Sequence, residues 1–207
     1  MHQKNLLYFL LFSFLTFSQS CQKEPSVMKI AFGSCGWQDH PLPIFNEVVK
    51  HNPDLFIFLG DNIYGDTKIM DTLRAKYNRL GAKESFQNLK MNVPILATWD
   101  DHDFGWNDAG RHYPFKEEVK EIFLDFFEEP ADSERRTRTG IYNAYEYDLQ
   151  EKKIQIIMLD TRTFRDKLLN NQDSVNKDQR YFYHLDYTPH TTSDSTFLGK
   201  KQWAWLD

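Results

Sequence analysis

Four apolar segments of this 207-residue chain each end abruptly in a loop of polar and charged side chains. The loops cover residues 33–36, 60–64, 99–103 and 160–162. Apolar segments that alternate with helical patterns are typical of α/β folds, in which the carboxyl ends of parallel strands share one edge. Ligands of such sheets bind at that edge, where several loops converge. The repetition therefore predicts one α/β domain with a single functional rim.

Hydrophobic periodicity gives the order of the elements. The segment 55–59 (LFIFL) is apolar at every position, as in a parallel strand that is covered on both faces. We predict further strands at 27–32, 93–99, 141–147 and 154–159, of which the last two form a hairpin. We predict helices at 44–49, 69–89, 115–126 and 198–206. Segments 132–140 and 164–195 are predicted to be loops, the second of which could also be an insertion.

The N-terminus has the outline of an export signal. Leu6 to Phe17 is an apolar run, too short for the roughly 20 residues that a membrane span needs. Cys21 follows as in bacterial lipoprotein signals, although Ser18 stands where such signals usually carry leucine. An N-terminal helix buried in the fold is the alternative. We expect a signal peptide over 1–20, a lipidated Cys21, a linker over 21–27 and a truncated domain over 28–207.

Charge and composition bound the partners. The chain has 25 Lys and Arg against 30 Asp and Glu, a net charge of −5. Nucleic acid as a sequence-read partner is therefore disfavoured, because a polyanion meets no general attraction. An apolar fraction of 41% is enough to pack one domain of this length. We expect a monomer at the cell surface or in the periplasm that touches the membrane only through its lipid anchor.

Asp61 and Tyr64 are candidate metal ligands. They lie three residues apart in the loop after the all-apolar strand, so that a carboxylate and a phenol can reach one cation. Phenolate is a hard donor that suits a trivalent ion such as ferric iron. Gly60 before them permits close backbone approach. The alternative is a turn aspartate beside a packed tyrosine.

The run of four ionisable residues at 100–103 is a second candidate. Four such residues after an apolar strand cannot all be buried without partners, and metal ions are suitable partners. We predict Asp101 as a ligand and His102 as the proton donor to the leaving oxygen. Asn107 could donate its amide to a phosphate oxygen, or it could simply form a turn. A solvated acidic turn is the alternative for the whole run.

Cys35 and Arg162 complete the predicted rim. Cys35 would be a disulfide partner for Cys21 in an exported chain, but a lipidated Cys21 leaves the thiol free to bind metal. A small buried apolar residue is the alternative for Cys35. The guanidinium of Arg162 suits a phosphoryl group. A salt bridge involving Asp160, Arg162 or their neighbours is the competing interpretation.

The motifs in these loops resemble those of the alkaline phosphatase D family of metallophosphoesterases. They are FGSC at 32–35, LGDNIYGD at 59–66, TWDDHD at 98–103, LDTR at 159–162 and QWAWL at 202–206. The resemblance, from Lys29 to Asp207, implies a calcineurin-like sandwich of two mixed sheets flanked by helices, incomplete at its C-terminus. The same resemblance implies a ferric ion together with a divalent cation, which it indicates to be calcium. Cys35 and Tyr64 would correspond to iron ligands, Asp61 to the bridging carboxylate and Asp101 to a further ligand.

One family feature is missing from the sequence. Members of the family contribute further ligands from a later Ser-Gly-Asp-x-His-like segment, and nothing here resembles it. We expect those ligands to lie beyond Asp207. The 207-residue chain is therefore expected to bind metal poorly and to have low activity or none.

The residues and the resemblance together predict an exported metal-dependent phosphatase or phosphodiesterase that acts on a small-molecule or lipid phosphoester. Two cations would lower the pKa of a bridging water, whose hydroxide attacks phosphorus while Arg162 neutralises charge and His102 protonates the leaving oxygen. Two other interpretations stay open. One is a surface lipoprotein that binds a phosphorylated ligand without turnover, and the other is a structural α/β domain with acidic turns.

Overall fold

The all-apolar segment forms the central strand of a parallel sheet, as predicted. The computed structural model describes residues 27–170 and 187–207. Three parallel strands lie in the order β1-β2-β3: β1 Ile30–Gly33, β2 Leu55–Phe58 and β3 Ile95–Ala97. All four residues of β2 are buried. The predicted signal peptide and Cys21 lie outside the described residues.

The two faces of β2 belong to two separate apolar clusters. Phe56 and Phe58 point into the main core, which the helices build. Leu55 and Ile57 point to the opposite face, where Met158 packs against them. Alternation along a strand sends successive side chains to opposite faces, so an uninterrupted apolar run fits a strand covered on both sides.

Seven helices are present in the described ranges. They are α1 Ile44–Lys50, α2 Met70–Gly81, α3 Glu84–Asn92, α4 Asp101–Phe104, α5 Lys116–Phe126, α6 Glu134–Thr137 and α7 Gly199–Leu206. The single helix predicted at 69–89 is wrong, since the chain breaks into α2 and α3 at Lys83, whose backbone is extended. The break lets Leu80 and Phe86 both enter the main core.

The remaining strands form antiparallel pairs. The predicted hairpin is present as β4 Asn143–Leu149 and β5 Lys152–Met158. The second predicted loop contains a short pair, β6 Leu169–Asn170 with β7 Tyr187–Thr188. The first predicted loop, at 132–140, contains the single turn of α6. The result is an α/β fold of small sheets and helices, and the calcineurin-like sandwich of two mixed sheets stays a prediction.

A buried arginine fixes the hairpin to the sheet. Arg135 donates to the carbonyl oxygens of Ala97 at 3.0 Å and Ile141 at 2.8 Å, and its guanidinium pairs with Glu129 at 2.7 Å. These bonds join the end of β3 to the segment that enters β4. Within residues 27–170 and 187–207, no helix combines the length and apolar character needed to cross a membrane.

Candidate metal centre

The loops after β1, β2 and β3 meet at one edge of the sheet. The Cys35 amide donates to the Gly60 carbonyl at 3.2 Å, and the Gly36 amide donates to the Asp61 carbonyl at 2.8 Å. Gly60 has a φ of +111°, and a Cβ there would lie 2.6 Å from the Cβ and the amide nitrogen of Asp100. Only glycine fits this contact, because a side chain would both clash and strain the backbone. The β2 and β3 loops are thereby held against each other.

Three potential ligands converge at this edge. One ligand atom each from Asp61, Asp101 and His102 lie within 4.8 Å of one another. The Oδ1 atom of Asp61 is buried without a hydrogen-bond partner among the described residues. Burial, followed by the nearby charge of Asp101, raises the pKa of Asp61. Burial and a neighbouring acid both disfavour the charged form of Asp61. A bound cation would offset both effects, so this arrangement favours cation binding.

Cys35 and Tyr64 lie beside Asp61. The Cys35 thiol donates to Asp61 Oδ2 at 3.7 Å, and its side chain is exposed and forms no disulfide with any described residue. The alternative of a small buried apolar residue is therefore wrong. Burial, with the neighbouring Cys35 and Asp61, raises the pKa of Tyr64 to about 12. The structure thus brings the two predicted iron ligands to the predicted bridging carboxylate.

His102 is held by a carboxylate. Its Nδ1 lies 2.7 Å from Asp66 Oδ1, and its ring packs 4.4 Å from that of Tyr64, centre to centre. Burial lowers the pKa of His102, but the Asp66 bond and the charges of Asp101 and Asp61 outweigh it and raise the pKa. Since Asp66 engages Nδ1, Nε2 is the nitrogen left for a substrate or cation.

The three acids and the imidazole of 100–103 have different environments. Asp103 is fully buried; its Oδ1 accepts from the Asp100 amide at 2.6 Å. Its Oδ2 accepts from Asn62, at 3.1 Å from the backbone nitrogen and 2.5 Å from Nδ2. Burial raises the pKa of Asp103 well above its usual range. Asp103 therefore joins the two loops, whereas Asp101 and His102 face the candidate metal position, and a wholly solvated acidic turn is wrong.

Arg162 lies next to the centre. Its guanidinium pairs with Asp100 and lies 3.9 Å from Asp101 Oδ1. Only its backbone nitrogen bonds to Asp160, at 3.0 Å. The salt bridge predicted as the alternative therefore forms with the β3 loop, across the rim, and it points the guanidinium toward Asp101.

Asn107 is exposed, and its amide donates to Asp108 Oδ2 at 3.0 Å. Asp108 in turn donates its backbone nitrogen to Asp101 Oδ2 at 2.5 Å. Asn107 therefore reaches the triad only through Asp108. The same Asp108 oxygen accepts from the Tyr187 hydroxyl at 2.6 Å.

Three residues that the sequence reasoning did not assign support the centre: Asp66, Asp108 and Gln38. Gln38 is buried and its Oε1 accepts from the Tyr64 amide at 2.8 Å. Asp66 carried a signal, since it belongs to the LGDNIYGD motif five residues after Asp61. Gln38 and Asp108 carried no such signal in the sequence, because single polar residues in loops have no spacing that marks their partners.

Comparison with known proteins agrees with this geometry. The sequence profile described as PhoD-like phosphatase matches residues 66–207, more than half of the chain. A solved structure entitled "Structure of PhoD" is similar with a TM-score of 0.66 and 19% identity, over 88% of this chain and 39% of that chain. At that identity the likeness shows the fold alone, and this chain spans about two fifths of the other. None of the curated proteins matches the sequence.

Proposed function

The chain belongs to the PhoD-like phosphatase family, and we propose that it is a metal-dependent phosphoester hydrolase with its cations at the ends of β1, β2 and β3. The unpartnered Oδ1 of Asp61, buried beside Asp101 and His102, carries this proposal. A buried carboxylate oxygen without a donor costs free energy that a bound cation offsets.

The available donors fit the proposed metals. Asp61 and Asp101 offer hard carboxylate oxygens, which suit calcium and other divalent cations. Cys35 and Tyr64 add a thiol and a phenol, and the phenolate suits ferric iron. A bound cation would oppose the raised pKa of Tyr64, because its charge favours the phenolate.

Bound cations would supply Lewis acidity and lower the pKa of an attacking water. His102 is positioned by Asp66 and presents Nε2, from which a proton can pass to the leaving oxygen. Arg162 lies 3.9 Å from Asp101, where its guanidinium can neutralise charge on a phosphoryl group. Its pairing with Asp100 keeps that guanidinium in place.

The proposed context is the one that the sequence predicts. Residues 1–20 would direct export, a lipidated Cys21 would anchor the protein, and residues 28–207 would belong to the hydrolase domain. The substrate would be a small-molecule or lipid phosphoester, taken by a monomer at the cell surface or in the periplasm.

The proposal is tested by loading the full-length gene product with excess ferric iron and calcium. Retained metal, the visible absorption of iron-bound phenolate and hydrolysis of bis-p-nitrophenyl phosphate are measured. Asp61→Asn should lose metal and at least about 100-fold in hydrolysis, since even supporting residues of metal sites contribute 10- to 100-fold. Tyr64→Phe should lose the visible band.

Asp54→Asn is the matched control, since Asp54 precedes the same strand and, in the described contacts, its side chain accepts only from the Lys29 amide, at 2.7 Å. It should keep metal and activity. An Asp61→Asn variant that retains metal contradicts the bridging role. Full-length gene product that binds metal but cleaves no phosphoester contradicts the hydrolase.

A further inference from the structure

Trp37 is an exposed aromatic residue beside the candidate metal centre, and the proposed chemistry does not use it. Its side chain is 51% exposed, and its ring centre lies 5.6 Å from that of Tyr64. Tyr64 in turn packs 4.4 Å from His102. The three rings form a continuous aromatic wall that leads from solvent to the triad.

The loop that carries Trp37 is fixed to the metal loops. On one side of Trp37, the Gly36 amide donates to the Asp61 carbonyl at 2.8 Å. On the other side, the buried Gln38 accepts from the Tyr64 amide at 2.8 Å. Both anchors adjoin Trp37 in sequence, so the ring is held at a set distance from the triad.

Neighbouring contacts fix the ring itself. His40 packs against Trp37 edge-on, with ring centres 4.7 Å apart, and its amide closes a turn on the Trp37 carbonyl at 3.0 Å. Asp39 pairs with Arg79 at 2.6 Å and so ties the turn to α2. An aromatic ring that is rigid before binding loses little entropy when a ligand stacks on it.

We propose that Trp37 is a specificity-determining residue that stacks on a planar aromatic group esterified to the phosphate. This inference rests on the proposed function, since it needs a phosphoryl group at the triad. A half-exposed indole offers an apolar face and no charge, so it discriminates by shape and polarisability of the group beyond the phosphate. Aromatic esters would therefore bind more tightly than alkyl esters of equal charge.

The test compares phenylphosphonate with methylphosphonate, which carry the same charged group and differ only in the ring. Dissociation constants are measured by calorimetry on the metal-loaded full-length gene product. The wild type should prefer phenylphosphonate about tenfold, in the range found for single aromatic stacking contacts. In Trp37→Ala the preference should fall below about twofold, and Trp37→Phe should lie between the two.

Trp203→Ala is the matched control, because Trp203 on α7 is also 51% exposed. It should keep the wild-type preference. A Trp37→Ala variant that keeps the tenfold preference, or a wild type that binds both phosphonates equally, overturns the role of Trp37 and leaves the hydrolase intact. A wild type that binds neither phosphonate overturns both proposals.

Discussion

Two aspartates that follow apolar strands have opposite environments. Asp160, after β5, is fully buried and satisfied: it accepts from the Trp99 indole at 3.0 Å, the Ile141 amide at 2.9 Å and the Thr163 hydroxyl at 2.6 Å. Asp61, after β2, keeps one buried oxygen without a hydrogen-bond partner in the part of the chain that the structure describes. The same sequence signature therefore produces a structural acid in one loop and an available ligand in the other.

The difference lies in the donors that surround each carboxylate. Around Asp160, amide, indole and hydroxyl groups donate hydrogen bonds to both carboxylate oxygens. Around Asp61, burial and then the charge of Asp101 disfavour the carboxylate and raise its pKa. A buried polar group without partners is rare in folded proteins and calls for a ligand. Substitutions that change either environment test this comparison.

The largest effect should follow from Asp160→Ala. The Trp99 indole and the Ile141 and Thr163 amides would lose their acceptor in the interior. At about 1–3 kcal/mol for each unsatisfied buried group, partly relieved by relaxation, we expect a loss of about 4 kcal/mol of unfolding free energy. Urea unfolding followed by circular dichroism measures it.

The control for that experiment is Asp148→Ala, on the exposed side of β4. It should change the unfolding free energy by less than about 0.5 kcal/mol. An Asp160→Ala variant within about 1 kcal/mol of wild type would show that the hydrogen bonds of Asp160 are not what holds its loop.

The next largest effect should follow from Gly60→Ala, which acts on the contact between Gly60, next to Asp61, and Asp100 in the neighbouring loop. The new methyl would lie 2.6 Å from Asp100 at a φ of +111°, so we expect a loss of about 2–3 kcal/mol and separation of the two metal loops. Metal affinity should fall with it. Gly33→Ala is the control, since its Cβ would meet Phe56 at an ordinary 3.7 Å. Equal losses in the two variants would contradict the close approach.

Much of the fold was predictable from local pattern. The parallel strands, the hairpin and the order of the longer helices follow from periodicity, because apolar side chains of β1 to β5 and of α1, α2, α3 and α5 enter the two clusters on either face of β2. The break at Lys83 was not predictable, since both α2 and α3 carry helical patterns. Tertiary packing decides it, by bringing Leu80 and Phe86 into one core.

The candidate site was predictable in its residues and less so in their roles. The apolar run before each loop predicted that Cys35, Asp61, Tyr64 and Asp101 lie on one rim, and the structure brings them together. The apolar run alone could not distinguish Asp61, an available ligand, from a structural acid such as Asp160. That distinction depends on donors far away in sequence, such as Trp99, which no local spacing encodes.

A smaller effect of opposite sign should follow from Asp61→Asn in metal-free chain. The raised pKa of Asp61 means that its contribution to stability is present at acid pH and is lost as pH rises through the folded pKa. Asparagine stays uncharged, so it avoids that loss of stability at high pH. It also tolerates the φ of +50° at this position. We expect the variant to gain about 1 kcal/mol at pH 8 and little at pH 4.

Thermal unfolding at both pH values, without metal and then with it, measures the change. With metal the order should reverse, because a cation stabilises only the wild type. A metal-free variant that is less stable than wild type at pH 8 would mean that Asp61 is satisfied like Asp160, and the comparison would fail.

The smallest effect should follow from Asp66→Asn, which alters the partner of His102. The raised pKa of His102 implies stability that is present below the unfolded pKa and is lost as pH rises through the folded pKa. The variant should lower the His102 pKa in an NMR titration. It should lose about 0.5 kcal/mol below pH 6 and nothing above pH 8, a small value because Asp66 is 39% exposed and solvent screens the pair.

Asp39→Asn is the matched control, since Asp39 is also a paired, 41% exposed carboxylate on the rim. It should leave the His102 titration unchanged.

Salt separates the effects of Asp61 and Asp66 on the pKa of His102. Asp61 also raises the His102 pKa, but through charge alone rather than through a hydrogen bond, so salt should weaken its effect more than that of Asp66. If salt reduces both contributions equally, the Asp66 contact is an ordinary surface ion pair and does not position the imidazole.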